Sequence, residues 1–398
     1  MTRHDDTKQL FRVPDAEIHR RIGSLQQQLR KEGIDGALVI QRMDLFYFSG
    51  TAQTGYLYVP AEGEPLLLIK KHFPRAEQES AIVHKEEIRS IKELTNRIAL
   101  AYGGLPKRLG LELDVLPVRE VHFYRNLFQP EAYADIAPLI LQIRQIKSPW
   151  DIACMEKTAD LSRKVFAHAG SFIKPGLTGY DLSAELEIFS RKLGHSPGFR
   201  IRDPMERDYA SAPPVKGYRI DGGAFHYVST AGPYRGSDQP IKPGEPILIN
   251  IGTVLNGWHL DETRMFAMGS LPKPVKNTAW MAAKIHGELP DRFRPGMAVG
   301  DLKAAMKRLE EEIGTHEPPE GFTNLTLTVT GNGLGVEWRE PPDMDGDPDQ
   351  PLLPGMTFSL NVCVFKAKAL MAGVKNIYGI TDRGMRRISR FPDEVTIC

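Results

Sequence analysis

The chain contains the segment Pro175-Gly176-Leu-Thr-Gly-Tyr-Asp181-Leu182-Ser-Ala184, and the same pattern returns 120 residues later as Pro295-Gly296-Met-Ala-Val-Gly-Asp301-Leu302-Lys-Ala304. In both copies a proline-glycine turn leads into a helix with one apolar face, and a glycine follows that helix. The matching apolar positions are Leu182, Leu186, Phe189 and Leu193 in the first copy, and Leu302, Met306, Leu309 and Ile313 in the second. The shared turn, face and terminator predict a duplicated αβ unit; the alternative is coincidental use of a common loop-to-helix start.

A second repeat concerns two strands. Pro243-Gly244 precedes an apolar strand at residues 247–249 that ends on Asn250, and Pro354-Gly355 precedes a strand at residues 357–360 that ends on Asn361. If the strands are related by the duplication, both asparagines reach one central cleft. A cleft between pseudo-symmetric halves is a favourable place for a ligand.

The region before the duplication has the pattern of a separate domain. Its first helix has an apolar face of Ile18, Ile22, Leu25 and Leu29, and alternating strands and helices follow. A new helix then begins at Ser148-Pro149, which has the sequence of an N-cap followed by proline at the first helical position. We therefore predict an α/β (α+β) protein with an N-terminal α/β domain at residues 1–145 and a duplicated domain at residues 146–398.

The composition limits the classes of function. Lys and Arg number 51, Asp and Glu number 50, and the net charge is +1, which argues against partners recognised by bulk charge, such as nucleic acid or a membrane surface. The polar N-terminus is unlike a secretory signal, and no apolar run approaches the ~18 residues of a membrane span. Three scattered cysteines favour reduced thiols, so a cytoplasmic location is expected.

Four motifs, taken in their order and spacing, connect the chain with a known family. They are residues 257–264 (Gly-Trp-His-Leu-Asp-Glu-Thr-Arg), residues 331–335 (Gly-Asn-Gly-Leu-Gly), Glu340-Pro341-Pro342 and Pro354-Gly355-Met356. With them the chain resembles the creatinase, prolidase and aminopeptidase P family of Xaa-Pro peptidases, over nearly its whole length. The resemblance implies the pita-bread fold in the duplicated domain, a small creatinase-like N-terminal domain and a homodimer.

Active members of this family hold two divalent metal ions with five side chains: two Asp, one His and two Glu. Carrying this pattern over by resemblance assigns the five ligand positions to Asn250, Asp261, Asn332, Asn361 and Asn376. Only one carboxylate is left. Two neighbouring divalent cations need anionic ligands, so we predict no metal cofactor.

Neutral amides at four positions favour a polar, uncharged pocket with many hydrogen-bonding groups. The prediction is therefore a metal-free homologue, a pseudoenzyme without classical peptidase activity, that binds a small polar molecule or a short peptide. A packed remnant of a former site, with no ligand, is an equally weighted alternative. Further candidates for the pocket are His226, His259, Arg339 and Glu340, where Arg339 falls on the substrate-side histidine of the family.

Two enzymatic alternatives stay open. Creatinase works without metal by means of a histidine base, so a metal-independent hydrolase of a small C–N bond would need His226, His259 or Asp261 as its base. The other alternative is an ordinary metal-dependent Xaa-Pro aminopeptidase or dipeptidase. A non-enzymatic scaffold is a fourth class, although no motif favours it.

Overall fold

The computed structural model describes residues 11–196, 200, 202, 218–223, 238–315, 325–366 and 369–398. The helices in these ranges are α1 (Asp15–Lys31), α2 (Arg42–Ser49), α3 (Phe73–Glu79), α4 (Glu93–Tyr102), α5 (Val118–Phe128), α6 (Ala137–Gln145), α7 (Pro149–Phe172), α8 (Gly179–Lys192), α9 (Lys273–Arg292) and α10 (Val299–Thr315). The strands are β1 (Gly36–Val39), β2 (Gly55–Pro60), β3 (Leu66–Ile69), β4 (His84–Glu87), β5 (Arg108–Leu111), β6 (Ala132–Asp135), β7 (Tyr218–Gly223), β8 (Pro246–Leu255), β9 (Trp258–Ala267), β10 (Leu325–Thr330), β11 (Asn332–Gly333), β12 (Glu340–Asp343), β13 (Thr357–Lys366), β14 (Ala369–Thr381), β15 (Gly384–Arg387) and β16 (Thr396–Ile397). None of these helices is long and apolar enough to span a membrane.

The chain divides into two compact units, Met1–Arg144 and Gln145–Cys398. In the first unit the strands form a sheet in the order β4-β3-β2-β1-β5-β6. Helix α1 buries Ile18, Ile22, Leu25 and Leu29, and the chain leaves it through Gly33 at φ 64°, as the sequence predicts. Helix α4 begins at Glu93, whose carboxylate accepts hydrogen bonds from the backbone amides of residues 89 and 90.

The second unit is built on one large sheet. Its strands follow the order β12-β11-β13-β14-β9-β8-β7, while β10 pairs with β13, β15 with β14 and β16 with β9. Helix α7 begins with a capping box in which Ser148 and Asp151 exchange hydrogen bonds. The predicted mixed α/β class is confirmed.

The two copies of the repeated segment have the same local geometry. Gly176 and Gly296 both have φ 89°. Two residues further on, Thr178 forms an isolated antiparallel bridge with Pro240, and Ala298 forms one with Pro351. The first bridge joins the start of α8 to the segment before β8, and the second joins the start of α10 to the segment before β13.

Apolar clusters attach the helices to the sheet. One cluster joins α7 and α8 to β7, β8 and β9, and includes Phe166, Leu182, Ile249 and Phe266. Another joins α9 and α10 to β13 and β14, and includes Ile285, Leu309, Val362 and Val374. The four central strands β13, β14, β9 and β8 are therefore held in fixed register, and their pleat decides which side chains share a face.

Candidate functional site

A row of four polar side chains crosses the centre of the second unit's sheet. Asn361 on β13 is paired with Lys375 on β14, Lys375 with Thr263 on β9, and Thr263 with Asn250 on β8. Directly paired residues of an antiparallel sheet point to the same face, with Cβ atoms ~5 Å apart. Three strand pairings thus bring together residues from four strands.

Asp261 lies beside this row, two residues before Thr263 and on the same face of β9. Its Oδ2 atom accepts a hydrogen bond of 2.6 Å from Lys375 Nζ and one of 3.0 Å from Trp338 Nε1. Only 1% of Asp261 is exposed, and 15% of the Lys375 side chain. The pair is a nearly buried ion pair with an indole N–H as a further donor.

The asparagines differ in their bonding. Asn250 Oδ1 accepts a hydrogen bond of 2.8 Å from Thr263 Oγ1, inside the row. Asn332 Nδ2 donates to the carbonyls of Gly333 and Trp338 at 2.8 and 2.9 Å. These two amides are largely occupied by protein partners. By contrast, the half-buried Asn361 side chain has no hydrogen bond to the described part of the chain.

Asn376 does not belong to this face, which corrects the assignment made by resemblance. It follows Lys375 on β14 and therefore points to the other side of the sheet. There Asn376 Oδ1 accepts from Arg264 Nη2 at 2.6 Å, and Nδ2 donates to Asp393 Oδ1 at 3.0 Å. The residue of β14 that reaches Asp261 is Lys375.

Lys375 and Trp338 are the two members of the site that the sequence reasoning missed. One signal for Lys375 was present, since it is the only charged residue in β14, a strand that is mostly apolar. A charge in such a strand needs a buried partner. No comparable signal pointed to Trp338, because its bond to Asp261 depends on the path of the loop before β12.

Arg264 lies on the opposite face of the sheet and stabilises the backbone of the row. This fully buried guanidinium donates through Nη1 to the carbonyls of Thr263 and Lys375 at 2.8 and 2.7 Å. Through Nη2 it donates to the Phe391 carbonyl at 3.0 Å, besides Asn376. One side chain thereby fixes the backbone of two residues of the row and attaches the C-terminal segment to the sheet.

His259 is a structural residue. Its ring nitrogens lie 2.9 Å from the Gly257 carbonyl and 3.0 Å from the Arg200 backbone amide, which fits a neutral ring with Nδ1 as the donor and Nε2 as the acceptor. Burial lowers the pKa of His259 to about 4. Both nitrogens are occupied by backbone groups, so this ring is not placed to remove a proton from a substrate.

The remaining pocket candidates lie elsewhere. Glu340 is buried and accepts hydrogen bonds of 3.0 Å from Lys147 Nζ and from the Glu337 amide, which fixes the loop between β11 and β12. Arg339 is about one-third exposed, and its Nη2 lies 3.5 Å from Asp343 Oδ2. His226 lies outside the described residues.

Comparison with known proteins agrees with this architecture. The Creatinase/Prolidase N-terminal domain matches residues 21–146, and Metallopeptidase family M24 matches residues 153–390. The chain belongs to metallopeptidase family M24. Among its M24 relatives, the uncharacterized peptidase YqhT of Bacillus subtilis is 24% identical over 92% of this chain and 96% of its own length. The Xaa-Pro dipeptidase of Pyrococcus horikoshii is 22% identical over 95% of this chain and 99% of its own.

Solved M24 structures have the same fold. The Xaa-Pro dipeptidase from Bacillus anthracis superposes with a TM-score of 0.77 at 20% identity, covering 96% of this chain and all of that one. The X-Pro aminopeptidase from Thermotoga maritima gives a TM-score of 0.76 at 18% identity, covering 94% of this chain and all of that one. The predicted combination of a creatinase-like N-terminal domain with a pita-bread domain is thus confirmed. At these identities the likeness concerns the fold alone.

The acidic groups that the structure describes are not clustered as metal ligands are. Within the described ranges, no group of three or more His, Cys, Asp or Glu side chains has the arrangement to hold a metal ion. The described carboxylate beside the row belongs to Asp261, and its partners are the Lys375 ammonium and the Trp338 indole. What the row offers is a neutral ion pair together with amide and hydroxyl groups.

Proposed function

We propose that this chain is a metal-independent member of family M24 that binds a small polar molecule or a short peptide at the row of Asn361, Lys375, Thr263 and Asn250. In this proposal it is a pseudoenzyme with respect to classical Xaa-Pro peptidase activity. The observation that carries the proposal is the 2.6 Å contact between Lys375 Nζ and Asp261 Oδ2.

Charge is the physical reason. Two adjacent divalent cations repel each other and need several carboxylates to neutralise them. Among the side chains that the structure describes, the carboxylate of Asp261 faces the row, and a lysine ammonium already compensates it. A metal ion beside Asp261 would lie next to this ammonium in a poorly solvated environment, where like charges repel strongly. The side chains that the structure describes therefore do not fit a dinuclear metal centre.

A metal-independent hydrolase of a small C–N bond is the second candidate. It needs a base that can reach a bound water molecule. His259 does not meet this requirement, because both its nitrogens are bonded to the backbone. Asp261 keeps one oxygen without a hydrogen bond to the described residues, and it is the acid-base group that this alternative would use.

Metal-dependent hydrolysis of Xaa-Pro dipeptides is the third candidate. The relatives from Pyrococcus horikoshii and Bacillus anthracis have the name Xaa-Pro dipeptidase. Metal content separates it from the proposal. Purified full-length protein would be dialysed against Mn²⁺, Co²⁺ or Zn²⁺, and bound metal would be measured by mass spectrometry beside turnover of an Xaa-Pro dipeptide. The Bacillus anthracis Xaa-Pro dipeptidase is the positive control.

We expect less than stoichiometric metal and no metal-dependent turnover. Two metal ions per chain with turnover that a chelator abolishes would refute the proposal. Turnover without bound metal would instead favour the second candidate. A homodimer and a cytoplasmic location are parts of the proposal too; sedimentation of the purified protein and fractionation of cells test them.

A further inference from the structure

Three hydrogen-bonding groups in or beside the row have capacity that no described residue uses. The buried Oδ1 atom of Asp261 accepts no hydrogen bond from the described residues. Lys375 Nζ has three N–H bonds, and the described residues accept only one of them, at Asp261 Oδ2. The side-chain amide of Asn361, the cross-strand neighbour of Lys375, makes no hydrogen bond in the described part of the chain.

A buried polar atom without a partner is unfavourable, so a carboxylate oxygen in this state points to a group that is bound there in function. Asp261 Oδ1 is an acceptor, and Lys375 Nζ, bonded to the other oxygen of the same carboxylate, is a donor. The ion pair therefore presents an acceptor and a donor side by side. Its complement is a chemical group that has a donor and an acceptor on one edge.

We infer that the ligand of this site is recognised through an uncharged amide-type edge: a carboxamide, a ureido group or a lactam, whose N–H donates to Asp261 Oδ1 and whose C=O accepts from Lys375 Nζ. This inference rests on the proposed metal-independent function, since it needs the ion pair intact. Asn361 adds one acceptor and two donors for a second polar group of the ligand.

Charge balance favours a neutral group over its ionic relatives. Asp261 and Lys375 compensate each other, so a neutral ligand leaves the buried site neutral. A carboxylate ligand would satisfy Lys375 and repel Asp261, and an ammonium ligand would do the reverse; either leaves an uncompensated charge in a site of low exposure. An Xaa-Pro bond is excluded as the recognised edge because its nitrogen has no hydrogen to donate.

Three probes of similar size test the inference: propionamide, propionate and n-propylammonium. Each would be added to the full-length protein at neutral pH, and binding would be followed by saturation transfer to the ligand methyl group. We expect propionamide to bind with a dissociation constant at least about fivefold below those of the two ions. Equal or tighter binding of either ion, or no detectable binding of any probe, would overturn the inference.

Variants test whether propionamide binding depends on the ion pair of Asp261 and Lys375. Lys375→Met should remove most propionamide binding, and Asp261→Leu/Lys375→Met should remove it without leaving a lone buried charge, so loss of folding does not confuse the result. Lys303→Met is the matched control, because Lys303 pairs with Asp345 at 2.8 Å on the exposed surface. Propionamide binding that survives in the double variant would contradict the assignment.

The same samples separate this inference from the proposed function. A protein that takes up Mn²⁺ fails the proposed function. A protein that stays free of Mn²⁺ and prefers one of the two ions retains the proposed function and refutes the amide-type ligand.

Discussion

Lys375 Nζ lies 2.6 Å from Asp261 Oδ2, and the two residues come from adjacent strands, β14 and β9, whose register sets Lys375 opposite Thr263. Both side chains are largely removed from water. Each charge therefore depends on the other for compensation, and Trp338 is the additional donor to the carboxylate. Together, the two described side chains carry no net charge.

Loss of Lys375 alone should be strongly destabilising. In Lys375→Met the Asp261 carboxylate stays buried without its counter-charge, and removal of one partner of a buried pair lowers the free energy of unfolding by about 3–5 kcal/mol. Asp261→Leu/Lys375→Met should recover most of this loss, because it removes both charges. Urea unfolding followed by tryptophan fluorescence measures the effect.

The surface pair of Lys303 and Asp345 is the control for this prediction. Both side chains are about half exposed, so Lys303→Met should change the free energy of unfolding by less than about 1 kcal/mol. If Lys375→Met and Lys303→Met were equally mild, the Asp261 carboxylate would not depend on Lys375 for its counter-charge, and Lys375 would not be what excludes a metal ion.

Two multiple variants test which residue of β14 faces the site. Both carry Asn250→Asp, Asn332→His and Asn361→Glu. The first adds Lys375→Glu and the second adds Asn376→Glu. We expect the first to bind Mn²⁺ at least about a hundredfold more tightly than the second, as measured by calorimetry.

The pleat of β14 is the reason for this difference. In the second variant the new carboxylate lies on the far side of the strand, beside Arg264 and Asp393, while Lys375 still compensates Asp261. In the first variant the ammonium is gone and its place is taken by a carboxylate. Equal Mn²⁺ affinity in the two variants would show that the register assigned to β14 is wrong.

The sequence predicted several parts of this site, and the reason is local. Asn250 and Asn361 each follow a proline-glycine turn by a fixed number of residues, so the turn sets their place on the strand. Asp261 lies in a hairpin with a short loop, whose register is likewise set nearby. Local signals thus sufficed for Asn250 and Asn361, whereas Asp261 was assigned by the family resemblance.

Strand β14 was different, because no local signal fixed which of its residues faces the row. The position of Lys375 depends on pairing of β14 with β13 and with β9, the second of which joins residues more than a hundred positions apart. A shift of one residue moves every side chain of a strand to its other face. The resemblance placed Asn376 at the site by such a shift, and the alternation of apolar residues in this strand is too weak to detect it.

Arg264→Lys should destabilise the second unit even though the charge is kept. Arg264 donates to the carbonyls of Thr263, Lys375 and Phe391 and to Asn376 Oδ1. A lysine ammonium has three N–H bonds on one atom and cannot reach all four acceptors, so buried acceptors lose their partners. We expect a loss of about 3 kcal/mol in the free energy of unfolding.

The matched control for Arg264 is Arg390→Lys. Arg390 lies on the surface, where it pairs with the partly exposed Asp160 at 2.7 Å and Glu156 at 3.6 Å. Its substitution should have an effect below about 1 kcal/mol. If Arg264→Lys were as mild as this control, the guanidinium would not be what holds Lys375 and the C-terminal segment in place.

Because His286 is buried, we predict that the free energy of unfolding depends on pH in the acid range. The ring is fully buried in α9, its Nδ1 lies 2.9 Å from the Tyr378 hydroxyl, and its Nε2 lies 2.9 Å from the Val374 carbonyl. Burial is the main cause that lowers its pKa from 6.5 to about 4; of the charges that face it, Arg264 and Arg387 lower the pKa further, while Asp393 raises it.

The sign of the pH effect follows from the lowered pKa. Between pH 6.5 and about 4 the unfolded chain binds the proton and the folded chain does not, so stability falls as the pH falls, by up to about 1.4 kcal/mol per pH unit. All four tryptophans lie in the second unit, so their fluorescence during urea unfolding at several pH values reports on this unit. His286→Gln should be less stable at pH 7 and should lose this part of the slope, since glutamine does not titrate. The same slope in wild type and His286→Gln would show that His286 is protonated in the folded protein as readily as in the unfolded chain.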